Sequence, residues 1–144
     1  MPYRVTMQLD AFNGTRDREE SIEDLSAMLD CLIRIDENFL RRRPDVPLLY
    51  QSGVRYQEEP LGAEFWRDIP TTLRYGEGDC EDLACWLIAE KRTRFGIPAR
   101  PLILPQLRRD NGRYLYHIAV WTPDVPGGVD DPSRRLGMKV TAPA

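Results

Sequence analysis

The segment from Asp79 to Gly96 constrains the fold most, because both of its ends carry residues that begin and end helices. Asp79 is a suitable N-cap, Asp82 occupies the capping-box position, and Gly96 stands where a left-handed residue closes a helix. The apolar residues between them form a wide stripe: Leu83, Ala84, Trp86, Leu87 and Ala89. The segment therefore predicts a helix over Asp79–Phe95 that buries one broad face.

The amino-terminal half carries several further patterns. Apolar and polar side chains alternate from Tyr3 to Asp10, which predicts a half-buried strand, and Asn13-Gly14 then marks a turn. From Glu19 to Arg42 the apolar residues recur at helical spacing, so a long helix is predicted there. The stretch Pro44–Arg74 is rich in proline, glycine and polar residues and predicts a long ordered loop. Within this loop we expect a short strand at Val54–Gln57 and a brief helix near Glu64–Arg67.

The carboxyl-terminal half predicts a small antiparallel sheet. Ala99–Leu107 and Arg113–Trp121 are both strand-like, and Asp110-Asn111-Gly112 between them is a strong hairpin turn. Val129–Asp131 follows a loop that contains proline and glycine, and it predicts a short third strand. Strands at both ends with two helices between them indicate an α+β domain.

Length and composition limit the classes of protein that remain. The 144 residues suit a single domain over 1–144, and 42% hydrophobic with 30% charged residues is typical of a folded chain. A net charge of −3 argues against a nucleic-acid partner. No run of about 18 apolar residues exists, so no membrane insertion is expected, and the first residues lack the apolar core of a signal peptide. We therefore expect a protein kept in a reducing cytoplasm or assembled into a particle from there.

The counts of cysteine and histidine narrow the chemistry. Cys31, Cys80 and Cys85 are too few for a disulfide framework, no two of them form a CxxC pair, and His117 is the one histidine. A structural zinc site would lack ligands, so neither a metal nor a cofactor is expected. Any step that needs an imidazole must use His117.

Cys80 is the candidate nucleophile because it opens the predicted helix. The free N–H groups and the positive end of the helix dipole lower a thiol pKa, and the same N–H groups can bind an oxyanion. The neighbouring acids Asp79, Glu81 and Asp82 act in the opposite direction, to an extent that depends on their orientation. The alternative is a buried and inert thiol, which is what we expect of Cys31 and Cys85 in the core.

A base and an orienting carboxylate follow Cys80 in sequence. His117 lies in the middle of a predicted strand, and the acidic pair Asp130-Asp131 comes at the next one. A hairpin-like return would place one of these carboxylates beside the imidazole, which gives the order of a thiol–imidazole–carboxylate triad. His117 could instead be a satisfied core residue of an apolar strand.

Four segments carry a resemblance to a known family. They are Gly78-Asp79-Cys80-Glu81-Asp82-Leu83-Ala84, Gly96-Ile97-Pro98-Ala99-Arg100, His117, and Asp131-Pro132-Ser133. Together they resemble the transglutaminase-like cysteine-enzyme superfamily. The chain is most similar to small proteins of tailed bacteriophages and prophages that carry Gly-Asp-Cys-Glu-Asp-Leu-Ala and end in Asp-Pro-Ser-x-x-Leu-Gly-Met, here Asp131–Met138; the segment Tyr50–Tyr56 also resembles that group. The similarity spans roughly Leu49–Met138, so we take 44–138 as the recognised core, 1–43 as lying outside it and 139–144 as a tail.

The resemblance implies a fold and a set of roles. The fold would be papain-like, with the cysteine-bearing helix packed on an antiparallel sheet. Cys80 would be the nucleophile, His117 the general base and acid, and Asp131 the orienting carboxylate, with Asp130 as the fallback. The oxyanion donors would be the Cys80 N–H and a second, upstream group, for which the candidates are Tyr75, Trp66 and Gln51.

The implied activity is hydrolysis of an amide bond, as by a protease or amidase, or transamidation, in either case through a thioester. The substrate would be a peptide or protein amide, other phage structural proteins would be possible partners, and the protein would reside in the host cytoplasm or in the virion, for example with the tail. The main alternative is a phage structural or assembly protein that uses this fold to bind a partner with little or no catalysis. Acyl transfer from a thioester cofactor is a third reading, which the short chain disfavours.

Overall fold

The computed structural model describes residues 3–8, 18–59, 65–107 and 114–139. In these ranges the chain forms both helices and strands, as the α+β prediction requires. The elements in chain order are α1 (Arg18–Arg42), β1 (Arg55–Tyr56), α2 (Ile69–Tyr75), β2 (Glu77–Gly78), α3 (Cys80–Arg94), β3 (Arg100–Leu107), β4 (Tyr114–Trp121), β5 (Val129–Asp130) and α4 (Pro132–Arg135), with 3-10 turns at Leu49–Gln51 and Pro126–Gly128.

Helix α3 is the centre of the molecule. Every residue from Cys80 to Lys91 is buried, and the helix packs on α1 and on β4. Leu83, Leu87 and Ile88 are at most 1% exposed, and burying each such side chain contributes roughly 1.5–3 kcal/mol to folding. The predicted helix is therefore confirmed, and its buried surface extends around the whole circumference of its first three turns.

The sheet beside α3 is antiparallel, with strand order β3-β4-β5. In the long hairpin of β3 and β4, Leu104 pairs with His117, and in the shorter pairing with β5, Val120 pairs with Asp130. The predicted strands are thus confirmed, and a helix bearing Cys80 packs on a small antiparallel sheet. Asp110-Asn111-Gly112, the predicted hairpin turn, lies outside the described residues.

A second, parallel pairing brings an upstream segment to the start of α3. Tyr56 of β1 pairs with Gly78 of β2, and the N–H of Gln57 donates to the Gly78 carbonyl at 2.9 Å. On its other side, the Tyr56 N–H donates to the carbonyl of Leu136 at 2.9 Å. Strand β1 therefore lies between the segment before Cys80 and the segment after α4.

The strand predicted over Tyr3–Asp10 is wrong for the part that is described. Residues 3–8 form no strand, and Tyr3 is 96% exposed; Leu9, Asp10 and the Asn13-Gly14 turn lie outside the described residues. Alternation makes a strand only where a sheet edge offers hydrogen bonds. Pro101 and Pro105 lie four residues apart on the edge strand β3, so they point to the same side of the strand. Because proline has no N–H group, this edge offers few hydrogen bonds to another strand.

The brief helix predicted near Glu64–Arg67 is also wrong, because residues 65–68 are not helical and the helix follows as α2. Asp68 caps it by accepting the Thr71 N–H at 3.2 Å, Pro70 stands in its first turn, and Gly76 ends it with φ 72°. These are the usual residues for a helix start and stop, placed after the predicted position. Glu64 itself lies outside the described residues.

The assignment of Cys31 and Cys85 to the core is half confirmed. Cys85 is fully buried, and its sulfur lies 3.8 Å from the Leu29 carbonyl oxygen of α1. Cys31 is exposed, because it lies on the outer face of α1, whereas Leu29, Leu32 and Ile33 face the core. Among the helices of the described ranges, none has the length and apolar character that spanning a membrane requires.

Candidate active site

The start of α3 fixes the position of Cys80. Asp79 caps the helix, its Oδ1 accepts the Cys80 N–H at 2.6 Å, and Asp82 Oδ2 accepts the Asp79 N–H at 3.0 Å. This is the predicted capping box, and it is confirmed. Gly78 is buried just before it, where a Cβ atom would lie 3.1 Å from Asp82 Cβ and 3.2 Å from Thr72 Cγ2, so the close approach of β2 to α3 favours glycine.

His117 forms a close pair with Asp131. Its Nε2 lies 2.7 Å from Asp131 Oδ2, and the two side chains are 7% and 15% exposed. Burial favours the neutral acid, but the hydrogen bond from His117 and the charge of Arg134 outweigh it and lower the pKa of Asp131 below its usual value. A charged Asp131 therefore holds Nε2, which leaves Nδ1 as the ring nitrogen available for proton transfer.

The structure distinguishes between the two adjacent aspartates. Asp130 accepts the Tyr50 hydroxyl at 2.8 Å and pairs with Arg135 at 3.3 Å, and the Arg135 guanidinium lies 3.9 Å from the centre of the Tyr50 ring. Asp130 thus anchors α4 to the segment around Tyr50, whereas Asp131 is the carboxylate that contacts His117.

The sulfur of Cys80 lies where α3 meets β4. The backbone N–H of Ile118, the residue after His117, lies near enough to favour the charged form of the sulfur, and Glu81 Oε2 lies 3.4 Å from it. Burial, and then the charges of Glu81 and Asp79, raise the pKa of the Cys80 thiol far above its usual value, although the Ile118 N–H acts in the opposite direction. This differs from the expected lowering by the helix end, because desolvation and two adjacent acids outweigh the dipole.

The expected oxyanion donors are not arranged as predicted. The Cys80 N–H is already engaged by Asp79 Oδ1. Gln51 is exposed in a 3-10 turn, and Tyr75 is 58% exposed with its ring 4.3 Å from the Arg67 guanidinium. Trp66 is half-buried against the core. In the described part of the chain, no hydrogen bond joins Gln51 or Tyr75 to Cys80.

Two residues near the sulfur were not among the predicted site residues. Glu81 contacts the thiol directly, and Tyr56 of β1 lies close enough to interact electrostatically with Cys80 and Asp79. Burial, followed by the negative charges around it, raises the pKa of the Tyr56 phenol, so it remains a hydroxyl donor at neutral pH. The sequence signals for Tyr56 were the predicted strand at Val54–Gln57 and the resemblance of Tyr50–Tyr56. Glu81 was expected to oppose a lowered thiol pKa, but nothing in the sequence gives the direction of its side chain.

Further acidic side chains hold the surrounding loop rather than a ligand. Asp79 Oδ2 accepts the Glu59 N–H at 3.1 Å, Glu59 Oε2 accepts the Phe65 N–H at 2.8 Å, and Asp82 Oδ1 accepts the Arg67 N–H at 2.7 Å. Burial raises the pKa of Asp82 to about 8, although the N–H groups of Arg67 and Asp79, which donate to this carboxylate, oppose the shift. Because their oxygens accept backbone amides, we assign neither a metal nor a cofactor to this cluster.

Comparisons with protein-family models, with curated proteins and with solved structures gave no match to this chain. The functional conclusion below therefore depends on the residues and geometry of the site itself.

Proposed function

We propose that this chain is a phage-encoded cysteine enzyme with a transglutaminase-like, papain-type core, and that it cleaves or exchanges amide bonds of a peptide or protein through a thioester. The observation that carries the proposal is the 2.7 Å contact between His117 Nε2 and Asp131 Oδ2. The backbone N–H that directly follows this histidine favours the charged form of the Cys80 thiol. Nucleophile, base and orienting carboxylate thus come from α3, β4 and the start of α4.

The proton movements follow from this arrangement. As Sγ attacks the carbonyl carbon, the S–H proton passes to His117 Nδ1, and Asp131 stabilises the imidazolium. The imidazolium then protonates the leaving amine as the C–N bond breaks, which leaves the acyl group on sulfur. In the second half, His117 takes a proton from water or from an acceptor amine, which attacks the thioester, and the proton returns to Sγ. We favour water as the acceptor.

The environment of the thiol decides how His117 acts. Because burial and nearby acids raise the pKa of Cys80, the resting site holds a neutral thiol rather than a thiolate–imidazolium pair. His117 must therefore remove the proton during the attack, as a general base. Loss of such a base typically costs about 10²- to 10⁴-fold in rate.

Acylation by p-nitrophenyl acetate tests this function without knowledge of the natural substrate. We expect the wild-type protein to become acetylated on Cys80, as seen by peptide mass spectrometry, and to release nitrophenol repeatedly. Cys80→Ala abolishes the label, and His117→Ala slows it by roughly 10²-fold or more, the loss of a general base. Acetylation of Cys80 at the wild-type rate in His117→Ala would exclude the mechanism.

A second function is favoured by one specific observation, the occupation of the Cys80 N–H by Asp79. Because the Cys80 N–H is bound to the N-cap carboxylate, it is not free to bind an oxyanion. Such a site suits a phage structural or assembly protein that binds a partner without catalysis. Under this alternative, Cys80 reacts with p-nitrophenyl acetate no faster than the thiol of the His117→Ala variant, and no nitrophenol is released after the first turnover.

A further inference from the structure

Glu81 contacts the nucleophile on which the proposed function depends. Its Oε2 lies 3.4 Å from the Cys80 sulfur, within reach of an S–H donor, and the residue is 5% exposed. The Ile118 N–H lies near enough to favour the charged form of the same sulfur. The thiol hydrogen is therefore directed to Glu81, whereas catalysis requires its transfer to His117.

We propose that Glu81 is a positioning residue that holds the thiol hydrogen of Cys80 in the resting protein, so that the thiol reacts only when Glu81 is neutralised or withdrawn. This inference rests on the proposed function and concerns the regulation of that same site. On release the S–H bond breaks, the proton forms an N–H bond at Nδ1 of His117, and the electron pair stays on sulfur for attack.

The charged groups around the sulfur come from several elements, and Glu81 has a distinct position among them. Asp79 and Glu81 belong to the start of α3 and Tyr56 to β1, and β4 contributes the backbone N–H of Ile118, the residue after His117. The oxygens of Asp79 accept the backbone N–H groups of Cys80 and Glu59. Glu81 is the group among these acids with an oxygen in hydrogen-bond contact with the sulfur in the described residues. Removing its charge should therefore change thiol reactivity more than removing a buried carboxylate elsewhere on the helix.

Alkylation by iodoacetamide measures this directly. The exposed Cys31 is first replaced by serine, so that Cys80 can be followed in the folded protein while Cys85 stays buried. We expect Glu81→Gln to shift the pH dependence of Cys80 alkylation downward by about one unit, which makes the reaction roughly tenfold faster at neutral pH. Glu81→Asp keeps the charge but withdraws the oxygen, so it should also accelerate the reaction, by less.

Glu90→Gln is the matched control, because Glu90 is a buried carboxylate of the same helix that accepts the Leu49 N–H at 2.7 Å. Its alkylation profile should match that of the parent. An unchanged profile in Glu81→Gln would overturn the proposal. Faster Cys80 alkylation in Glu81→Gln together with an unchanged rate in Glu81→Asp would also overturn it, because the negative charge alone would then explain the effect without a hydrogen bond to the thiol. Glu81→Met, checked by circular dichroism, replaces Glu81→Gln if the amide disrupts folding.

The same variants separate this inference from the proposed function. If Glu81→Gln accelerates alkylation both with His117 and in His117→Ala, but p-nitrophenyl acetate shows no His117-dependent acylation, Glu81 holds the thiol and the enzyme proposal fails. If acylation depends on Cys80 and His117 while Glu81→Gln changes nothing, the enzyme proposal stands and the role of Glu81 is refuted.

Discussion

Replacing Asp131 with asparagine removes the charge that faces His117 and keeps a side chain that can still cap α4. Both side chains of the pair are mostly buried, so solvent screens their interaction little. A hydrogen bond to a charged group contributes about 1.5–3 kcal/mol, and in the proposed mechanism the imidazolium forms as the thiol proton is transferred. Because about 1.36 kcal/mol corresponds to a tenfold change in rate, we expect acylation of Cys80 to slow by roughly 10- to 150-fold.

The assay is single-turnover acetylation of Cys80 by p-nitrophenyl acetate near neutral pH, with thermal melting measured on the same samples. Asp130→Asn is the control, because Asp130 forms its hydrogen bonds with Tyr50 and Arg135 and not with His117. Asp130→Asn should lower the melting temperature and leave the acetylation rate close to that of the wild type. Equal rates for wild type and Asp131→Asn, or a larger loss in Asp130→Asn, would refute the assignment of Asp131.

Three further substitutions test the structure around the site by melting or chemical denaturation. Burial raises the pKa of Asp36, so its carboxyl reduces stability increasingly as the pH rises above the usual aspartate range. Asp36→Asn keeps an oxygen for the Ile69 N–H and should raise the melting temperature at about pH 8, with no gain near pH 4; a gain of equal size at both would contradict this. Gly78→Ala should destabilise by about 1–3 kcal/mol, because a Cβ overpacks Asp82, and unchanged stability would show that the helix start can shift. Gly76→Ala should lower the free energy of unfolding by about 1–2 kcal/mol through its φ of 72° alone, since nothing lies within 4 Å of the added atom. Unchanged stability in Gly76→Ala would contradict this.

The elements with local signals could be predicted from the sequence. The capping residues of α3 and the turn residues between the two hairpin strands are local signals for these boundaries, so the prediction and the structure agree closely there. Helix α2 had comparable signals in Asp68, Pro70 and Gly76, and the prediction placed the helix before them. The segment at residues 3–8 failed for another reason. Its alternation is a property of the segment, whereas a strand also needs a partner edge, and Pro101 and Pro105 weaken the edge that β3 presents.

The candidate site was predictable in its order of residues and not in its electrostatics. Cys80, His117 and an aspartate could be chosen from the sequence, but the choice of Asp131 over Asp130 depends on the pairing of β4 with β5. The approach of Tyr56 depends on a parallel pairing of two-residue strands, which leaves no periodic pattern. The thiol pKa depends on burial and on side-chain directions, and neither follows from sequence spacing.

Two acidic residues at the start of α3, one of them its N-cap, oppose the proposed chemistry there. Asp79 engages the Cys80 N–H, which would bind the oxyanion, and Glu81 engages the S–H, which would be transferred to His117. An N-cap of this kind contributes about 0.5–2 kcal/mol, so a substrate oxygen that displaces Asp79 must offset that amount. Stability and reactivity at this helix start are therefore opposed. Any substrate that opens the site must supply binding energy elsewhere on the chain to compensate for the lost cap.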